Sequence, residues 1–148
     1  MVTRKPHPKK FFTEQEKDRI VQAIRQAEHQ TSGEIRVYLE RRAGKDLMGR
    51  AKKIFEKLGM TKTRHRNGVL IYFSLLERRF VILGDRGIHD KVGEDFWKEI
   101  VIRVQSYFTQ DDFAGGLEAG IHEIGKRLKN YFLREIQDIN ELPDTMPE

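Results

Sequence analysis

The sequence predicts an α/β fold, a three-layer α/β/α sandwich in which helices flank a small mixed β-sheet. Residues 34–41 alternate apolar and polar side chains, which is the period of a strand with one buried face. Residues 69–76 form a nearly unbroken apolar run, which is typical of a central strand buried on both faces. Apolar residues at helical spacing precede, separate and follow these two segments. Together the patterns indicate helices packed on both faces of one sheet.

The elements follow one another as helix, strand, helix, strand, strand, helix, helix. Thr13 and Glu16 fit a capping box at the start of the first helix. Since a helix joins the first two strands, those strands should be parallel, and a short turn should make the third strand antiparallel to the second. The expected strands are 34–41, 68–76 and 79–84, and the expected later helices are 47–58, 94–108 and one after Asp112.

The chain of 148 residues has the length of one ordinary domain, which we place at 13–133. Residues 1–12 are interpreted as a flexible basic arm, and its first ten residues are expected to be mobile and dispensable because they show no apolar periodicity. Residues 134–148 are interpreted as an acidic C-terminal tail.

Composition excludes several classes of site. The chain has no cysteine, so disulfides, thiolate metal sites and cysteine nucleophiles are excluded. Neither a signal peptide nor an apolar run long enough to cross a bilayer can be identified, so the expected location is the cytoplasm. The net charge of +5 permits an anionic partner, but most cations alternate with acids along the predicted helices. We therefore expect no nucleic-acid partner.

The predicted topology gathers polar residues at one end of the sheet, where strand one starts, strand two starts and strand three ends. Glu34, Asn67, Asp85 and Asp90 fall there and are the candidate metal ligands. Carboxylate and amide oxygens are the ligands of hard cations, so the expected ion is Ca²⁺ or Mg²⁺. Asp85 is equally explained as a turn residue that binds nearby backbone N–H groups. Asn67, followed by Gly68, is also typical of a turn.

The chain resembles the TPM domain family. The segments that carry the resemblance are "SGEIRVYLE", "RAKKIFEKLGM", "RNGVLIYFSLLERRFVILGDRGI" and "FAGGLEAGI", in that order over residues 31–128. The resemblance implies a mixed sheet between helices, binding of Ca²⁺ or Mg²⁺ and, for some members, acid phosphatase activity. It places Glu34 at the acid of the first-strand motif, Asn67 at the opening of the central strand and Asp85 in the loop after the third strand. Because the chain lacks the signal and membrane anchor of many relatives, it resembles the stand-alone soluble branch.

Three functions are consistent with the sequence. The first is a divalent-cation-binding domain that acts through protein partners, membrane-associated components among them. The second is a metal-assisted phosphatase, for which no nucleophile or base stands out beside the acids, so catalytic residues stay unassigned. The third is a module that binds an anionic polymer or nucleic acid through the basic residues, although aromatic residues do not interleave with those cations.

Overall fold

The computed structural model describes residues 4–133 and places a three-stranded sheet between two layers of helices. The predicted acidic tail, 134–148, lies outside the described residues. The elements are α1 (Glu14–Gln30), β1 (Ile35–Glu40), α2 (Leu47–Lys57), β2 (Val69–Ser74), β3 (Arg79–Gly84), α3 (Arg86–Val92), α4 (Lys98–Phe108) and α5 (Phe113–Lys129).

The sheet has the order β1-β2-β3, with β1 parallel and β3 antiparallel to the central β2. The predicted strand positions and the mixed sheet are therefore confirmed. Ile35, Val69 and Gly84 lie side by side at one end, which we call the site end. Glu40, Ser74 and Arg79 lie at the other end, which we call the distal end.

Both faces of β2 are covered, which explains why its sequence shows no alternation. Every residue of β2 is buried. Leu70 and Tyr72 pack in one apolar cluster with α2. Val69, Ile71 and Phe73 pack in a second cluster that contains the buried faces of α1, α4 and α5. The three predicted layers are thus α2, the sheet, and the group of α1, α4 and α5.

The segment after β3 differs from the expected loop, because it forms the short helix α3. Asp85 is its N-cap, and its side chain accepts a hydrogen bond from the backbone N–H of Arg86 at 2.8 Å. The helix predicted from residue 94 is also wrong at its start, since α4 begins at Lys98. Gly93, with φ of 73°, ends α3, and a short 3-10 turn follows before α4.

An ion pair joins the loop before β2 to the start of α3. The Nε and Nη2 atoms of Arg66 donate to Oδ2 and Oδ1 of Asp85 at 2.7 and 2.8 Å, and Asp85 is 6% exposed. The backbone N–H of Gly87 also donates to the carbonyl of Arg66 at 2.9 Å. We call these contacts the Arg66–Asp85 clamp. They connect two segments 19 residues apart at the site end.

The flexible arm predicted for residues 1–12 is wrong for its last residues, because Phe11 and Phe12 belong to the core. Arg4 makes a two-pronged ion pair with Glu16 at 2.7 and 2.8 Å, and its guanidinium lies 5.4 Å from the centre of the Phe11 ring. Arg78 covers the same ring at 4.7 Å. Two adjacent phenylalanines and cation–π contacts hold this segment without the helical periodicity that a sequence pattern detects.

Gly87→Ala should destabilise the protein because the clamp leaves no room for a Cβ atom. An ideal Cβ at this position would lie 2.2 Å from the carbonyl oxygen of His65 and 2.6 Å from that of Arg66. We expect a loss of about 1–3 kcal/mol in the free energy of unfolding, measured by urea denaturation. The exposed neighbour Arg86, changed to alanine, is the control and should have little effect. Equal stability of Gly87→Ala and wild type would contradict this packing.

Glu16→Gln should destabilise the protein in a pH-dependent way. The hydrogen bond from Arg4 lowers the pKa of Glu16 to about 2 from an ordinary value of 4.5. A depressed pKa means that the stabilisation is present above the ordinary value and is lost as the pH falls toward 2. Near neutral pH we expect Glu16→Gln to lower the free energy of unfolding by about 1–2 kcal/mol. This is less than the full pKa shift of Glu16 implies, because solvent screens the ion pair.

Urea unfolding of both proteins near neutral pH and at acid pH measures this difference. Glutamine keeps the capping geometry, so the substitution isolates the charge. The exposed Glu14, changed to glutamine, is the control. A Glu16→Gln effect of the same size at both pH values would show that the Arg4 ion pair does not stabilise the fold.

Candidate functional site

A cleft of about 310 Å³ opens at the site end, between the C-terminal end of α1, the start of β1 and the loop before β2. The segment that follows α5 supports one wall, since the backbone N–H of Ser32 donates to the carbonyl of Phe132 at 2.9 Å. The lining residues are mostly polar and are Glu28, Thr31, Ser32, Gly33, Glu34, Thr63, Arg64, His65 and Asn67.

Glu28 is one of the two acids that line the cleft. It lies in the last turn of α1 and accepts a hydrogen bond from the backbone N–H of Ile35 at 2.9 Å. Burial raises the pKa of Glu28, and the negative charge of Glu34 raises it further, whereas the Ile35 hydrogen bond and the positive charge of Arg36 lower it. Sequence reasoning missed Glu28, because a polar residue near a helix end is usually solvated. Its position beside the buried Ala27 was the available signal.

Glu34 and Asn67 meet at this cleft as the topology predicted. Glu34 directly precedes β1, and its side chain is 40% exposed, with Arg36 Nη2 at 4.0 Å. Asn67 is 1% exposed, and its Nδ2 donates to Ser32 Oγ at 3.2 Å. Within residues 4–133, no hydrogen-bond donor contacts Asn67 Oδ1. A buried acceptor oxygen without a donor is a favourable position for a cation or an ordered water.

Asp85 and Asp90 do not line this cleft. Both carboxylate oxygens of Asp85 bind Arg66, and Oδ1 also accepts from the backbone of Arg86. Asp90 is exposed on α3. The four residues predicted as ligands therefore divide into two groups, with Glu34 and Asn67 at the cleft and the two aspartates beside it. The contacts of Asp85 are those of a capping residue, and its metal ligation stays a prediction.

Oxygen atoms predominate among the polar atoms of the residues that line the cleft. They belong to two carboxylates, one amide and several hydroxyl groups, and Arg64 and His65 also line the cleft. In the described part of the chain, no three His, Cys, Asp or Glu side chains are grouped as metal ligands. A cation held here would need amide, hydroxyl or water oxygens beside the carboxylates, which Ca²⁺ and Mg²⁺ accept.

Comparisons with known proteins identify the fold family. The family model described as the TPM domain matches residues 7–127. The solution structure of protein BA42 from the psychrophilic bacterium Bizionia argentinensis is similar, with a TM-score of 0.83 and 45% sequence identity, over 89% of this chain and 91% of that chain. None of the curated proteins searched matches the chain significantly. Among the helices of residues 4–133, none has the length and apolar character needed to cross a membrane.

A more distant structure shares the fold alone. The N-terminal domain of a protein from P. gingivalis aligns with a TM-score of 0.65 and 17% identity, over 82% of this chain and 78% of that chain. The family model, in contrast, covers both the strands and the helices that build the cleft. The chain belongs to the TPM domain family.

Proposed function

We propose that this protein is a divalent-cation-binding domain that holds Ca²⁺ or Mg²⁺ in the cleft at the site end and acts through protein partners. Glu28, Glu34 and Asn67 Oδ1 would hold the ion, and water would complete its coordination. Of the ligands predicted from sequence, Glu34 and Asn67 are kept, and Glu28 is added.

The observation that carries the proposal is the pair of like charges in the cleft. The charge of Glu34 and its own burial both disfavour ionisation of Glu28. Within residues 4–133, no Lys or Arg forms an ion pair with Glu28, although the positive charge of Arg36 offsets part of these two effects. Arg36 Nη2 lies 4.0 Å from a carboxylate oxygen of Glu34, and both side chains are partly exposed to solvent. A divalent cation between the two carboxylates would relieve their repulsion and supply the counter-charge that burial requires.

The Arg66–Asp85 clamp would prepare this site without touching the ion. Arg66 directly precedes Asn67, and its backbone has a positive φ of 51°. The clamp holds the loop in this conformation through one ion pair and one backbone hydrogen bond. Asn67 is thereby positioned before metal arrives, which reduces the ordering cost of binding.

Metal should stabilise the wild-type protein, and Glu28→Gln and Glu34→Gln should each remove most of that gain. Binding to the folded state alone raises the free energy of unfolding by about 2.7 kcal/mol at a ligand concentration of about a hundred times the dissociation constant. Thermal melts with chelator, with Ca²⁺ and with Mg²⁺ measure this gain. Glu56→Gln, on the exposed side of α2, is the matched control and should respond like wild type. A wild-type melting temperature that neither Ca²⁺ nor Mg²⁺ raises would contradict the proposal.

Without metal, Glu28→Gln should be more stable than wild type near neutral pH. Because the folded pKa of Glu28 is raised, wild-type stability falls as the pH rises from about 4.5 through that folded pKa. Glutamine carries no charge, so the variant should lack this fall. Chelator-treated melts across this pH range test the difference. A variant less stable than wild type at every pH would show that the Glu28 carboxylate is needed for its hydrogen bond to Ile35 rather than for metal.

A metal-assisted phosphatase is the alternative activity, and we expect little turnover of a generic phosphomonoester. If Glu28 and Glu34 bind metal, no other carboxylate among residues 4–133 lines the cleft to activate water. Hydrolysis measured with and without Mg²⁺ or Ca²⁺ tests this expectation. Robust metal-dependent hydrolysis that is lost in Glu34→Gln and retained in Glu56→Gln would establish the phosphatase instead.

A further inference from the structure

Positive charge is concentrated on the layer formed by α2 and the loop that precedes it. Residues 41–57 contain seven Lys or Arg and two Asp or Glu, so this segment has a net charge of +5, equal to that of the whole chain. Six of these cations are exposed and form no ion pair within residues 4–133. We call them the basic face: Arg41, Arg42, Lys45, Lys52, Lys53 and Lys57.

Three of the four acids near the basic face form hydrogen bonds or ion pairs with residues outside it, although the charges of Glu40 and Glu77 still act on Lys57 and Arg42. Glu40 binds Arg50 at 2.7 and 2.8 Å and accepts from the Tyr72 hydroxyl at 2.6 Å. Glu77 accepts from Ser74 and from the backbone of Ala43. Asp46 caps α2 through the backbone of Gly49, and Glu56 is exposed on α2.

Two large apolar side chains are exposed beside these cations. Leu76, in the turn between β2 and β3, is 45% exposed, and its backbone N–H donates to the carbonyl of Arg41 at 2.8 Å. Met48, in the first turn of α2, is 42% exposed. A surface that carries both cations and exposed aliphatic side chains attracts anions electrostatically and also offers apolar area that is stabilised when it leaves water.

We infer that the basic face is a docking surface for an anionic lipid membrane. Lys and Arg would attract the negatively charged headgroups, and Leu76 and Met48 would enter the boundary between headgroups and acyl chains. The chain would lie on the membrane without spanning it. The basic face shares no residue with the metal cleft, so this inference is independent of the proposed cation site.

A lipid surface fits the face better than a nucleic acid does. Binding of single-stranded nucleic acid normally adds aromatic side chains that stack on bases. The one aromatic residue in 41–57 is Phe55, which is 5% exposed and packs against the sheet. Exposed aliphatic side chains gain nothing from a phosphate backbone, whereas they are stabilised at the edge of a bilayer.

Co-sedimentation with vesicles tests the inference, using the full chain with chelator present. Vesicles of phosphatidylcholine with phosphatidylserine should bind the wild type, and vesicles of pure phosphatidylcholine should bind it far less. Lys52→Glu with Lys53→Glu should weaken binding by about 25-fold or more, since each of the two surface cations contributes roughly fivefold. Lys126→Glu with Lys129→Glu changes net charge equally on α5, in the opposite layer, and should keep most of the binding.

A matched pair of variants tests how much the exposed apolar side chains contribute to vesicle binding. Leu76→Ser should weaken vesicle binding at unchanged charge, whereas Ile102→Ser, which changes the 68% exposed Ile102 on α4, should not. Raising the salt concentration should weaken wild-type binding, because screening shortens the range of the attraction. The inference would be overturned if the wild type did not bind anionic vesicles. It would also be overturned if the double variant on α2 and the double variant on α5 lost vesicle binding equally. Binding to a single-stranded oligonucleotide without binding to vesicles would also overturn it.

Discussion

The ion pair between Arg66 and Asp85 is the interaction on which the site end of this domain depends. The Asp85 carboxylate is almost fully buried, so loss of its partner would leave an uncompensated charge inside the protein. The pair also fixes a loop whose backbone is in the left-handed region at Arg66. Gly87 completes the arrangement, because no side chain fits between the start of α3 and this loop. The position of Asn67 follows from these contacts.

The acids of this protein differ in how their negative charge is compensated, and Glu28 of the cleft differs from the acids that hold the fold together. Glu16, Glu40 and Asp85 each bind an arginine through two hydrogen bonds. Such charge-assisted pairs hold segments together and use both carboxylate oxygens. Glu28 instead accepts one hydrogen bond, from the backbone N–H of Ile35, and its ionised form is favoured by Arg36 and disfavoured by burial and by Glu34. An arrangement that costs stability without a ligand is typical of a binding site.

The sequence predicted the sheet more completely than the site. Alternation in β1 and the apolar run of β2 follow directly from burial, so strand positions and order were confirmed. The topology also brought Glu34 and Asn67 to one cleft. Arg66 as the partner of Asp85 was missed, because an ion pair across 19 residues has no periodicity in the sequence. Phe11 and Phe12 were missed for a similar reason, since two adjacent aromatics resemble a loop until their cationic and aromatic neighbours are known.

Backbone NMR during a metal titration tests the central claim, that the cleft binds a divalent cation while the clamp stays intact. Uniformly ¹⁵N-labelled protein would be titrated with Ca²⁺ and then with Mg²⁺. The largest shifts should fall on residues 32–35 and on Asn67, with the Ile35 amide among them because it donates to Glu28. The amides of Asp85 and Gly87 should move little. Largest shifts at residues 85–90, or no saturable shifts with either ion, would contradict the account.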